Sequence, residues 1–162
     1  MKITSVQLND LPEILRIENL GFNPAEAGTK AQYQARIQNL KETFLVARTE
    51  DNTVTGFIVG PIIKAPYIED WMYEADTQSE LTPGGTLMIL TLAVDPVFQG
   101  RGIGSRLLGA IAKQAKQFKC QRIALTCLAD RIPFYERNGY QNMGQAASTH
   151  ANETWYNLVK IL

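Results

Sequence analysis

The chain has 162 residues, of which 45% are hydrophobic, 9% aromatic and 20% charged, with 16 Lys plus Arg against 16 Asp plus Glu. That composition excludes a disordered or fibrous chain, and at about 150 residues a chain buries roughly two-thirds of its unfolded surface, enough for a core of its own. Zero net charge removes any global pull toward nucleic acid or an anionic membrane, so an anionic ligand has to be held by a local arrangement.

Residues 2 to 8 (KITSVQL) alternate like a short strand. Asn9 and Asp10 before Pro12 predict a helix N-cap, a helix to about Leu20, and a stop at Gly21. Asn23-Pro24 with Glu26 predicts the opening of a second helix through about Leu40, with Ala31, Ala35, Ile37 and Leu40 on a broken apolar face. The segments 43 to 48 and 53 to 63 flank the turn cluster Glu50-Asp51-Asn52 and read as an antiparallel hairpin.

From Lys64 to Gly85 periodicity gives way to an acidic and aromatic excursion, of a length that is usually functional or mobile. The segment TLMILTLAVDP (86 to 96) is an apolar strand closed by Asp-Pro, followed by a glycine turn and a helix with Ile103, Leu107, Ile111 and Phe118 near one face. Residues 122 to 129 predict another strand, 132 to 137 a short helix ending at Asn138-Gly139, and the tail a final antiparallel pair. The order βααβββαβαββ, without repeat or linker, predicts one α/β domain over residues 1 to 162: a mixed sheet of about seven strands with about four helices on its faces.

Cys120, Cys127 and the single histidine, His150, fit no zinc spacing and no disulfide framework, so no metal and a reduced, cytoplasmic setting are expected. The opening MKITSVQLND turns polar too early for a signal peptide, and no run approaches the ~18 apolar residues of a membrane span.

Gln99-Gly100-Arg101-Gly102-Ile103-Gly104-Ser105 lies between a buried strand and an amphipathic helix. Orphaned amides and the helix dipole make such a start a ready site for phosphate or pyrophosphate, although the same glycines also suit a tight turn with no ligand. No lysine follows the glycines until Lys113, which fails the P-loop pattern. Ser105 at the third position, with no acidic residue about 20 residues on, weakens the dinucleotide pattern.

Gln99 to Gly104 as Gln-x-x-Gly-x-Gly behind LTLAVDP resembles the acyl-CoA signature of the GNAT superfamily of N-acyltransferases. TCLADRIPFYERNGYQNMG (126 to 144) and IENLGFNPAEA (17 to 27) are similar to blocks of its arylalkylamine (serotonin) N-acetyltransferase branch. The resemblance implies acetyl-CoA as cosubstrate, with the backbone of Leu92, Ala93 and Val94 serving the pantetheine arm. It places the pyrophosphate on Gln99, Gly100, Arg101, Gly102, Ile103, Gly104 and Ser105. It also implies that Tyr135 is the general acid for the departing thiolate, a role suited to a phenol protonated at neutral pH.

Met88 and Leu90 stand where the branch carries two histidines, and neither can titrate. Water, Glu69, Asp70, Glu74 or His150 are then the candidates for deprotonating the amine. On the acceptor side, acid and aromatic residues of the excursion, Glu69 and Asp70 among them, suit a protonated amine, as do Phe22 and Glu26 between the first two helices. The expected activity is acetyl transfer to a primary amine of a small molecule by direct attack in a ternary complex. The expected protein is a monomer or homodimer without nucleic-acid or membrane partners. A protein or peptide acceptor, and a non-catalytic acyl-CoA-binding module, are the alternatives. Cys127 reads as a buried strand residue rather than a nucleophile.

Overall fold

A computed structural model describes residues 1–162. β1 (Lys2–Ser5) is shorter than predicted because the chain turns through a 3-10 segment at Leu8–Asp10 into α1 (Leu11–Gly21), with Pro12 in its first turn. Asp10 holds the N-cap position, but its carboxylate caps nothing in the helix. It accepts the Gln7 N–H at 2.8 Å and both Nη groups of Arg48, a buried two-pronged ion pair that fastens α1 to the sheet.

α2 (Lys30–Asn39) begins later than Asn23-Pro24 predicts. The Asn23 side chain instead closes a local turn by accepting the amides of Ala25 and Glu26. The real cap is Thr29, whose hydroxyl accepts the Gln32 N–H while the Gln32 side chain accepts the Thr29 N–H. Its buried face is Tyr33, Arg36 and Ile37, continued by Leu40, whereas Ala31 is exposed and Ala35 half-buried.

Two predicted strands each break in two, giving nine strands and two sheets where one sheet of about seven is expected. Residues 53 to 63 divide into β3 (Val54–Val59) and β4 (Ile62–Ile63), and residues 86 to 96 into β5 (Thr86–Met88) and β6 (Thr91–Val94). With β2 (Phe44–Arg48), β7 (Arg122–Cys127), β8 (Gln141–Gln145) and β9 (Tyr156–Ile161), the orders are β1-β2-β3-β6 and β4-β5-β7-β9-β8. The break falls at Gly60-Pro61, where proline offers no N–H and a Cβ on Gly60 would stand 1.6 Å from the Met88 carbonyl oxygen. Only glycine lets the two backbones cross there.

β5 and β7 are parallel, joined across the face by α3 (Ile103–Gln117), while the other strand pairs are antiparallel. Strand alternation sends Phe44, Val46, Phe57 and Val59 toward α1 and α2, and Leu45, Ala47 and Ile58 toward α3. Helices therefore cover both faces, and each face has its own core. The excursion 64 to 85 packs against the body: Ile68 and Met72 are buried, and the Tyr73 carbonyl accepts bonds from Gln32 and Arg36. No helix is long and apolar enough to cross a membrane.

Candidate active site

β6 pairs with β3 on one edge only, and β7 pairs with β5 only as far as Ala124. Thr91–Val94 and Leu125–Cys127 thus face a common gap with unpaired backbone edges. The gap widens into a cavity of about 480 Å³ whose lining includes Leu90, Thr91, Leu92, Thr126, Cys127 and Tyr135. Of the predicted backbone trio, Leu92 lines this cavity, Ala93 is buried on the opposite face, and Val94 packs half-buried beside α3.

Further along β6, Asp95 accepts the Val97 N–H at 3.0 Å to cap a 3-10 turn, and the Gln99 side chain donates back to the Val94 carbonyl at 3.3 Å. Gly100 and Gly102 both hold φ of +78, a left-handed conformation that suits glycine, and Gly102 is the N-cap of α3. The helical ladder starts with the Arg106 N–H on the Gly102 carbonyl, and no backbone N–H from Gly100 to Ser105 donates to another protein group. This row of free amides at the positive end of a helix is chemically suited to a pyrophosphate. The turn lies outside the cavity lining, although a Cβ on Gly104 would come within 3.1 Å of the Phe134 ring, so it abuts α4 (Ile132–Arg137). Arg101 places its guanidinium over the Phe98 ring at 5.2 Å.

Tyr135, on α4, stands edge-on to Phe134 and Tyr140 with ring centroids 5.1 and 5.7 Å away. Burial raises its pKa well above that of a free phenol, and nearby Cys127 adds to this, so the hydroxyl is a proton donor at neutral pH. Burial pushes the Cys127 thiol up to about 12, helped by the Asp130 charge, which leaves it almost wholly protonated.

On the acceptor side Phe22, Glu26, Asp70, Glu74 and His150 line the cavity. Glu69 does not. Its carboxylate is exposed and accepts the Trp71 Nε1–H at 3.3 Å. Burial and neighbouring Glu153 raise the Glu26 carboxyl, opposed by a 2.8 Å bond from Asn23. Met88 is core and Leu90 is cavity wall.

Glu18 is the group that sequence reading missed. It lines the cavity at 2% exposure; its Oε2 accepts the Gly28 N–H at 2.6 Å and its Oε1 has no partner. Burial raises its carboxyl, against the opposing pull of the Gly28 N–H, Tyr33 and Arg36. The signal was present: Glu18 follows Leu11 and Ile14 at seven and four residues, on the buried stripe of α1. Arg36, equally buried and also facing the cavity, sits on the corresponding face of α2.

The family model for the acetyltransferase (GNAT) family matches residues 9–140. The chain is 33% identical over 114 residues to serotonin N-acetyltransferase of Mesocricetus auratus, a match covering 67% of this chain and 51%, about half, of that enzyme. Among solved structures it resembles the GphF GNAT-like decarboxylase in complex with isobutyryl-CoA, with TM-score 0.84 at 15% identity over 99% of both chains. It also resembles Arabidopsis thaliana Naa50 in complex with a bisubstrate analogue, with TM-score 0.75 at 20% identity over 99% of this chain and 98% of that one. Two sheets of four and five strands, splayed between β6 and β7 and matched over nearly full length, are the fold those proteins share. With the family match covering most of the sequence, the chain belongs to the GNAT acetyltransferase family.

Proposed function

We propose that residues 1–162 act as one N-acetyltransferase domain that moves the acetyl group of acetyl-CoA to a primary amine of a small molecule, by direct attack with both substrates bound. The observation that carries this reading is the gap between β6 and β7. It ends at free helix-start amides on one side and opens on the other into a cavity of about 480 Å³ walled by Glu18, Glu26, Asp70 and Glu74. A space of this size suits a small molecule, and its carboxylates suit a cation.

The unpaired Thr91–Val94 edge offers backbone donors and acceptors to the pantetheine arm, and the Gly100–Ser105 amides receive the pyrophosphate. Tyr135, with its raised pKa, holds a hydrogen bond toward the departing sulfur and gives up its proton as the amine nitrogen loses one. Cys127 takes no covalent part, because its thiol is not ionised at neutral pH.

The test is thiol release from acetyl-CoA against arylalkylamines, polyamines, amino acids, aminoglycosides and short peptides. Release driven by a small amine supports the reading. Release driven only by peptides replaces the acceptor class. No release from any amine, with acetyl-CoA still raising the Tm, replaces the enzyme with an acyl-CoA-binding module.

A further inference from the structure

We infer that Glu18 is the group that takes the proton of the acceptor's ammonium, in place of any residue on β5 or β6. This deepens the acyl-transfer reading above and rests on it.

The strand positions are occupied by Met88 and Leu90, which cannot accept a proton. Asp70, Glu74 and His150 are exposed at the cavity mouth, and Glu26 is half-buried. Glu18 alone among the cavity carboxylates is shut off from solvent, and its Oε1 has no hydrogen-bond partner within 3.5 Å, the Tyr33 hydroxyl beside the carboxylate being turned to Thr91. A buried carboxylate oxygen without a partner keeps the full cost of its lost hydration, so an atom left this way at a cavity wall calls for a ligand that supplies the donor. A primary ammonium supplies both the donor and the opposite charge.

The neighbours of Glu18 fit the transfer. From α2, the Tyr33 hydroxyl lies beside the carboxylate and donates to Thr91 Oγ1 at 3.3 Å, which joins Glu18 through polar groups to the first residue of β6 at the gap. Arg36, also from α2, stands over the Tyr33 ring with its Nη2 committed to the Tyr73 carbonyl. It makes no ion pair with Glu18 within 4.0 Å, so it favours the charged carboxylate without quenching it. From the 64 to 85 excursion, Tyr73 also faces this group, and from the loop before α2 the Gly28 N–H binds Oε2.

Burial outweighs these stabilising partners and raises the carboxyl, bringing its proton affinity closer to that of an amine. The N–H bond of the ammonium breaks, Glu18 Oε1 gains the proton, and the freed nitrogen lone pair forms the new N–C bond as the C–S bond breaks. The nitrogen loses a second proton as the amide forms; Tyr135 gives its proton to the departing thiolate and regains one from that nitrogen, so the hydroxyl ends the cycle as it began. Glu18 returns its proton to solvent through the open cavity mouth, so the cycle releases one proton in total.

The competing role for Glu18 is a brace for the loop at Gly28, and Glu18→Gln separates the two because its amide oxygen still accepts the Gly28 N–H. The experiment measures kcat/KM from pH 6 to 10 for wild type and Glu18→Gln. It uses the most active amine of the panel above and its β,β-difluoro analogue, a much weaker base. At pH 7 the variant is expected to lose about 10²-fold or more on the strongly basic amine, with the loss shrinking toward alkaline pH. On the difluoro analogue, about half of which is already neutral at pH 7, the loss should be several-fold at most. An equal loss on both amines at every pH, or no loss, overturns the assignment and leaves the acyl-transfer reading standing. Absence of transfer by wild type to any amine overturns that reading and the assignment with it. If the variant does not fold, wild type decides. A rate on the basic amine that is already level well below that amine's own pKa supports Glu18, whereas an acid limb that follows each amine's own pKa overturns it, because the enzyme then takes only amine neutralised in water.

Discussion

Ile89 and Leu90 are adjacent in the chain, yet their amides serve different sheets: the Ile89 N–H donates to the Ala124 carbonyl and the Leu90 N–H to the Val59 carbonyl, each at 2.9 Å. The turnover of hydrogen bonding at one peptide link is what splays β6 from β7. Gly60 makes room for it, because the Met88 carbonyl occupies the space a side chain would need. Gly60→Ala should therefore cost about 3 kcal/mol or more, at the upper end for overpacking, since the obstacle is backbone. Urea denaturation would read this as a lowered midpoint at an unchanged slope.

Tyr135→Phe is expected to lower kcat by about 10²-fold or more in the best amine assay while acetyl-CoA still raises the Tm, since only the hydroxyl is removed. Pre-steady-state mixing checks that chemistry limits the rate. An unchanged chemical step takes Tyr135 out of the mechanism.

Gly102 has φ of +78 with nothing within 4 Å of an added Cβ, so a side chain there meets conformational strain and no clash. Gly102→Val should destabilise the fold by only about 1–2 kcal/mol, the cost of a left-handed conformation. Because the strain is relieved by moving the amides that follow, CoA affinity by calorimetry should fall by about tenfold or more, alongside a small drop in Tm.

Cys127, with its thiol pushed up to about 12, should resist alkylation in the native state at pH 7 to 8 and react only on unfolding. Thiolate grows as pH rises toward that value, so native labelling should accelerate through pH 9 and 10. Mass spectrometry after iodoacetamide reads both. Rapid labelling at pH 7 would reopen a covalent route through this sulfur.

Asp95, 4% exposed, accepts a 2.7 Å bond from Arg16 and the Val97 N–H. Burial works against its charge, but these two partners outweigh it and hold the carboxyl below its usual range. A lowered folded-state pKa adds stability above the unfolded value of about 3.9, and that stability is lost as pH falls toward the folded one. Asp95→Asn should thus cost about 1 kcal/mol at pH 7, kept small by the exposed side of Arg16, and less at pH 3. Thermal melts at both pH values would check it.

Much of the architecture was legible in single segments. The period of α3, the turn cluster between β2 and β3, and the Gly-rich start after β6 are local patterns, and the backbone obeys them where they occur. Asn23-Pro24 misled because an asparagine that caps a helix and one that closes an isolated turn make the same side-chain bonds. The acceptor-side carboxylates were sought in the conspicuous run Glu69 to Glu80, of which Glu69 points into solvent, while Glu18 went unnoticed inside an apolar stripe.

Order of elements, absence of net charge and the glycine turn were determined by the sequence itself, because each depends on neighbours a few residues apart. Where the strands break, which carboxylate is sealed from water, and how far the Tyr135 and Cys127 protons are held were decided only in the tertiary structure. Desolvation and strand crossing depend on groups far apart in the chain, such as Gly60 with Met88 and Glu18 with Tyr33, and no local pattern records who those partners are.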